Sequence, residues 1–230
     1  IIPLFPGQDN HFFHIRPNFF TRLHCHAAQS GGDRLHTIGI VSEYNPFHTG
    51  HAYQITESKR LLGADCAVIA VMSGNWVQSA DCAVLDKWIR ARLALLGGVD
   101  LVLELPTPWA MSSSEFFARG AIDLLEATGV VDILSFGSEC GDVDTLQQVA
   151  RCLDTPSYQL AVHRLSKGKM SFATARQTAV RKLMGEEPAA LLSSPNNNLG
   201  VEYLRALNIR QSAIRPMTVR REGAPHNSLF

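Results

Sequence analysis

Apolar positions along the chain fall into short, nearly unbroken blocks separated by stretches of helical period. Thr37-Ile38-Gly39-Ile40-Val41, Cys66 to Met72, Leu101 to Leu105 and Asp132 to Phe136 are such blocks. Each has the length and continuity of a strand buried on both faces. Between them, His51 to Leu62 places Ile55 and Leu62 on one helical face. Asp86 to Leu96 groups Trp88, Ala91, Leu95 and Leu96 at helical spacing before Gly97-Gly98 stops it. Ser112 to Ala127 offers Phe116, Ala121 and Leu124 as core residues ahead of Gly129. Strands of this kind alternating with helices predict an α/β fold whose parallel sheet is covered on both sides. Beyond Asp142 the pattern turns mainly helical, with helices expected over Leu146–Leu153, Ser157–Leu165 and Phe172–Met184. Ser194-Pro195-Asn196-Asn197-Asn198-Leu199-Gly200 reads as a polar turn whose asparagines cap a further helix. Ile214 to Arg220 reads as a last strand.

The chain therefore divides into a leader at 1–36, an α/β core at 37–150 and a basic, mainly helical segment at 151–230. The leader holds phenylalanines and histidines without period, ends in the linker-like Gln29-Ser30-Gly31-Gly32-Asp33, and is expected to be disordered. Its His24-Cys25-His26 string has metal-binding residue types, but no metal site is assigned. No charged-then-apolar secretory pattern is expected there.

At 46% hydrophobic and 18% charged residues the chain can bury a full core. It has no apolar run long enough to span a membrane. Five cysteines without a CxxC pair fit free thiols in a reducing compartment, the cytoplasm. The net charge of zero conceals a polarity: residues 37–150 carry 6 Lys/Arg against 14 Asp/Glu, and residues 151–230 carry 12 against 5. The basic back half suits an anionic partner such as RNA, or simply a solvated surface.

Chemistry concentrates at Glu43-Tyr44-Asn45-Pro46-Phe47-His48-Thr49-Gly50-His51, which follows the first strand and opens the first helix. A helix start presents free N–H groups and a positive dipole end, both attractive to phosphate. Histidines three apart in a first turn project to one side, and Gly50 allows close approach. Two imidazole N–H donors would stabilise charge that develops on a phosphoryl group, which is most of what nucleotidyl transfer requires. A zinc pair is the other reading, but no third ligand stands nearby at the usual spacing. In parallel sheets ligands bind beyond the carboxyl ends of the strands. That brings Ser73-Gly74 and Gly137-Ser138 into the same neighbourhood. Neither a dinucleotide G-x-G-x-x-G nor a Walker lysine motif occurs.

With these residues in view, the chain resembles the bacterial tRNA(Met) cytidine acetate ligases, within the His-x-Gly-His nucleotidylyltransferases. The resemblance runs from about Thr37 to His226. It rests on the Glu43–His51 block, Val71-Met72-Ser73-Gly74-Asn75, Asp86-Lys87-Trp88, Asp100 to Pro106, Phe117-Ala118-Arg119-Gly120, Phe136-Gly137-Ser138-Glu139 and Pro195-Asn196-Asn197. It implies a Rossmann-like sheet and an ATP-dependent ligase. That ligase makes acetyl-adenylate from acetate, then acetylates N4 of the wobble cytidine of elongator tRNA(Met). It implies His48 and His51 as catalytic residues and ATP in the loop Val41, Ser42, Glu43, Tyr44, Asn45, Pro46, Phe47, His48, Thr49, Gly50, His51, Ala52, Tyr53, Gln54; Mg2+ is expected with ATP on chemical grounds, since it neutralises the phosphates. Gly137, Asn196, Asn197 and Arg220 complete the implied nucleotide contacts. Acetate is already ionised at neutral pH, so its attack on the α-phosphate calls for charge neutralisation rather than a general base. Lys87 reads as a solvated helix lysine, and Asp100 and Glu104 as structural.

Two departures from the family pattern stand out. After Gln78 the family usually has Arg-Gly-Glu-Pro, where this chain has Ser79-Ala80-Asp81-Cys82. Near the end Asn227 stands where an Asp is common. Family members are also longer, so a C-terminal truncation is expected. The alternatives are a nucleotidylyltransferase with another acceptor, or a nucleotide- or tRNA-binding member without turnover.

Overall fold

A computed structural model describes residues 13–15, 36–63, 66–168 and 170–221. The chain forms two compact units, 1–136 with 212–217 and 137–211 with 218–230. The first break falls at Phe136/Gly137, within the strand Ile133–Ser138 and ahead of the boundary expected at 150.

The strands among the described residues are β1 (Phe13–Ile15), β2 (His36–Ser42), β3 (Cys66–Ser73), β4 (Leu101–Leu105), β5 (Ile133–Ser138) and β6 (Arg215–Arg220). Their order in the sheet is β1-β4-β3-β2-β5-β6. β2 pairs in parallel with β3 and β5, and β3 with β4. The last residues of β5 and β6 belong to the second unit.

β1 corrects the expectation of a wholly disordered leader: Phe13–Ile15 pair antiparallel with Leu101–Leu103. The backbone groups on the outer edge of β4 need partners, and the leader supplies them. His36, counted with the leader, is the first residue of β2. His24-Cys25-His26 lies outside the described residues.

Helices α1 (Thr49–Leu62) and α2 (Lys87–Leu96) cover one face of the sheet. Ile55, Ala91 and Ala94 pack there with Ile38, Ile40, Val68, Ala70, Met72 and Val102. The short α3 (Thr107–Ala110) leads to α4 (Ser114–Ala127), which packs along β3 and β4. A Cβ on Gly39 of β2 would lie 2.8 Å from Leu125 of α4, so the glycine sets how closely this helix approaches. Every residue of β3 is buried, as its continuous apolar run predicts.

Two helix faces are rotated from expectation. In α4 the buried residues are Phe117, Ala118, Gly120, Ala121, Ile122 and Leu125, and Phe116 is exposed. In α2 they are Arg90, Ala91 and Ala94, and Trp88 is exposed. Period alone cannot choose between two adjacent aromatics, and it gives no weight to an arginine facing inward.

The second unit contains α5 (Val143–Leu153), α6 (Pro156–Ser166), α7 (Phe172–Met184), α8 (Glu186–Leu191) and α9 (Pro195–Arg210). α5 packs on α9, and α6 on α7. Glu202 of α9 is fully buried and pairs with Arg176 of α7 and with Arg205 at 2.8 Å; Arg205 also reaches Asp154 at 2.9 Å. The charges inside these helices are thus compensated by one another.

Candidate active site

The loop from Ser42 to His48 connects β2 to α1 and is tied down residue by residue. Ser42 Oγ accepts from Tyr44 N–H at 3.2 Å. The Glu43 carboxylate accepts from Gln78 N–H at 2.6 Å, and Asn45 Oδ1 from Val84 N–H at 2.7 Å. The Asn45–Pro46 peptide is cis. Tyr44 adopts a left-handed backbone, φ 45°, with its ring buried. Burial pushes its phenol well above the usual range. At the far end of this stretch, Gln54 donates to the Ser135 carbonyl at 3.1 Å. Glu43, Asn45 and Gln54 therefore hold the loop in shape through their own side chains.

His48 is the N-cap of α1, and here the two histidines act on the helix start itself. His48 Nδ1 accepts from Gly50 N–H at 3.0 Å, and His51 Nδ1 accepts from His48 N–H at 3.2 Å. This is a capping box in which imidazoles do the work usually done by Ser and Glu. A ring nitrogen that accepts carries no proton, so in the neutral form each ring's proton sits on Nε2. The rings stack with centroids 3.8 Å apart at 29°. Tyr44 meets the His51 ring edge-on at 4.8 Å, and Phe47 lies against it at 5.5 Å. The two Nε2–H donors therefore belong to one aligned pair at the exposed start of a helix, where anions are favoured.

Gly50 has a reason the sequence did not reveal: a Cβ there would sit 2.9 Å from His48 Cε1. The glycine makes room for the imidazole that caps the helix.

Arg90 is a residue that sequence reasoning missed. It is completely buried, and its guanidinium donates to the carbonyls of Leu85 (3.0 Å), Glu43 (2.6 Å), Ser73 (3.1 Å) and Gly74. One planar fork thus fastens the ends of β2 and β3 to the start of α2. Among the described residues no carboxylate lies within ion-pair distance of it. Burial lowers its pKa, while the fields of Glu43, Asp86 and Glu104 act in the opposite sense. Nothing in the pattern marks it, because an arginine on an amphipathic helix reads as solvent-facing.

Lys87 is not a solvated lysine: its ammonium pairs with Glu104 at 2.6 Å, and both are largely buried. Asp100 is structural, its carboxylate accepting from Val68 N–H at 2.9 Å. The departing segment Ser79-Ala80-Asp81-Cys82 is an exposed turn closed by a bridge between Trp76 and Cys82. Ala80 there has φ 64°.

The remaining expected residues lie in the second unit. Asn196 and Asn197 are not caps; Ser194 is the N-cap and they occupy the first turn of α9. Asn197, fully buried, accepts through Oδ1 from the N–H groups of Glu139 (2.9 Å) and Cys140 (3.1 Å). In return the Glu139 carboxylate accepts from Asn196 Nδ2 at 2.7 Å and from Asn197 N–H at 2.8 Å. Burial disfavours the ionised carboxyl, but these bonds outweigh it and hold Glu139 below the usual carboxylate range. Two sequence blocks far apart in the chain are thus one hydrogen-bonded unit.

Arg220 ends β6 and lies over Gly141, whose φ of 67° and lack of a Cβ leave space for it. At Gly137 an added Cβ would meet Arg221 at an ordinary 3.5 Å, so packing does not demand a glycine there.

A histidine-capped helix start behind the first long strand of a parallel sheet places the chain beside the nucleotidyl transferases. The family model described as HIGH Nucleotidyl Transferase matches residues 35–229, and the chain belongs to that family. It is 46% identical over 199 residues to the tRNA(Met) cytidine acetate ligase of Caldanaerobacter subterraneus subsp. tengcongensis, covering 85% of this chain and 49% of that protein. The Acetivibrio thermocellus protein of the same name is 42% identical, with 84% and 48% covered. Among solved structures, Thermotoga maritima TmcAL bound with alpha-thio ATP superposes with a TM-score of 0.78 at 43% identity, covering 83% of this chain and 47% of that one. The chain thus spans about half the length of the relatives it matches.

Proposed function

We propose that this chain carries the adenylating centre of an ATP-dependent tRNA(Met) cytidine acetate ligase. The observation that carries the reading is the stacked pair His48 and His51, each capping α1 through Nδ1 and so holding its proton on Nε2. An acetate oxygen attacks the α-phosphorus of ATP, a P–O bond forms, and the bond from the α-phosphorus to the α,β-bridging oxygen breaks to release pyrophosphate. Negative charge grows on the α-phosphoryl oxygens and the leaving group. Two N–H donors and the start of α1 stabilise it. N4 of the wobble cytidine of elongator tRNA(Met) then attacks the acetyl carbonyl carbon, the C–O bond to the adenylate breaks, and AMP leaves as N4 gives up a proton to solvent.

On this reading the stretch Val41–Gln54 meets the nucleotide, with Thr49 and Gly50 exposed at the helix start. The resemblance adds Gly137, Asn196, Asn197 and Arg220. Because Asn197 Oδ1 and Asn196 Nδ2 are engaged by the Glu139 segment, their share in binding runs through the backbone they hold or through atoms those bonds leave over. Mg2+ arrives on the phosphates of ATP. Cys66, Cys82, Cys140 and Cys152 form no disulfide among the described residues, and no helix among the described residues is long and apolar enough to cross a membrane. Reduced thiols suit a reaction in the cytoplasm.

The test is exchange of labelled pyrophosphate into ATP, run with and without acetate. Acetate-dependent exchange that falls at least about a hundredfold in His51→Ala is the expected result. Exchange indifferent to acetate would assign another acceptor, and no exchange at all would leave only nucleotide binding.

A further inference from the structure

From Thr155 to Gly185 the chain has six Lys/Arg and no Asp or Glu, although the protein as a whole is neutral. This stretch is the α6–α7 hairpin. Two of its six cations are compensated, Arg176 by Glu202 and Arg181 by Glu186 at 2.5 Å. Among the described residues no carboxylate lies within ion-pair distance of Arg164, Lys167 or Lys182, all of them exposed.

The charge is also ordered in space. On α6, Leu160, His163, Arg164 and Lys167 are spaced three, four and seven apart and share one exposed stripe. Tyr158 and Val162, on the other side, are buried. The stripe ends at the turn into α7, where Met170 is 38% and Phe172 63% exposed. An exposed aromatic beside uncompensated cations, with no acid in the hairpin, combines what a phosphate backbone and an unstacked base each require.

We infer that the tip of the α6–α7 hairpin is an RNA-binding surface, with Arg164 and Lys167 on backbone phosphates, His163 beside them and Phe172 stacking on an unpaired base. The inference rests on the proposed reaction only for the identity of the RNA. An acidic protein would satisfy the cations but not the aromatic. A membrane would call for a continuous apolar face, which α6 lacks, its exposed stripe holding one leucine among three basic residues.

The experiment uses the whole polypeptide and an elongator tRNA(Met) transcript, with affinity measured between about 50 and 200 mM salt. In Arg164→Glu/Lys167→Glu the affinity should fall at least tenfold, and the log–log salt slope should flatten by about 1.5, as for two lost phosphate contacts. Phe172→Ala should lose at least about fivefold with the slope unchanged, since stacking releases no counterions. Acetate-dependent pyrophosphate exchange, measured without tRNA, should stay at the parent rate in both variants. That shows the fold is intact and separates this surface from the adenylating centre. Unchanged affinity and slope in the double variant would overturn the inference, as would a parent that does not bind the transcript or that is captured by anionic phosphatidylserine vesicles instead. Loss of exchange in the parent would count against the proposed reaction alone.

Discussion

Phe47 lies directly over Gly97: a Cβ on that glycine would stand 2.2 Å from Phe47 Cζ. Phe47 in turn lies against the His51 ring, so the end of α2 supports an imidazole through one intervening aromatic. The backbone at Gly97, φ −79° and ψ 2°, suits alanine, which leaves the clash as the only penalty. Gly97→Ala is expected to cost about 1–3 kcal/mol in unfolding free energy and to lower acetate-dependent exchange. Wild-type stability with wild-type exchange would mean that Phe47 moves freely without disturbing His51.

His48 has two separable duties. His48→Asn keeps a good N-cap but removes the Nε2 donor, whereas His48→Ala removes both. Both variants should lose at least about a hundredfold in exchange. Only the alanine variant should lose about 1 kcal/mol of stability, read by urea unfolding.

Replacing Arg90 tests the clasp between β2, β3 and α2. Lysine keeps the charge but cannot serve four carbonyls from one planar fork, so Arg90→Lys should lose more than about 2 kcal/mol. The urea midpoint would reveal it, and a midpoint near the parent's would show that water substitutes for the fork.

At Ala80, where the resemblance implies a glycine, the backbone is left-handed. Restoring glycine should therefore stabilise: Ala80→Gly is expected to gain about 1 kcal/mol, measured as a rise in melting temperature. A fall would mean that the turn relaxes when alanine occupies it.

Glu139 makes stability pH-dependent in a defined direction. Its native pKa lies below that of the unfolded chain, about 4.3, so between the two values the unfolded state binds more protons. Stability therefore rises with pH through that window, is fully present above it, and is lost as pH falls through the native value. Glu139→Gln should flatten this part of the profile in unfolding series on the acid side of neutrality. An unaltered profile would shift the dependence to other carboxylates.

The four long strands and the helices between them were legible because continuous apolar blocks and helical period survive in one sequence. The histidine pair was equally legible from its spacing and its place after a strand. Arg90 was not, because its partners are main-chain carbonyls that leave no trace in side-chain types. The role of Asn197 was half-visible: its block and that of Glu139 could each be recognised, but only folding joins an acceptor at 139 to donors at 196 and 197. β1 escaped notice because an edge strand of three residues is too short to show a period.

A lone pair already engaged with the main chain also turns each imidazole into a sensor. An anionic oxygen accepting from Nε2–H would push electron density into the ring and make Nδ1 a stronger acceptor, tightening its grip on the amide behind it. The amides of His48 and Gly50 should then exchange deuterium more slowly whenever the outer nitrogens are occupied. Two backbone protons would report the loading of this turn without any reaction taking place.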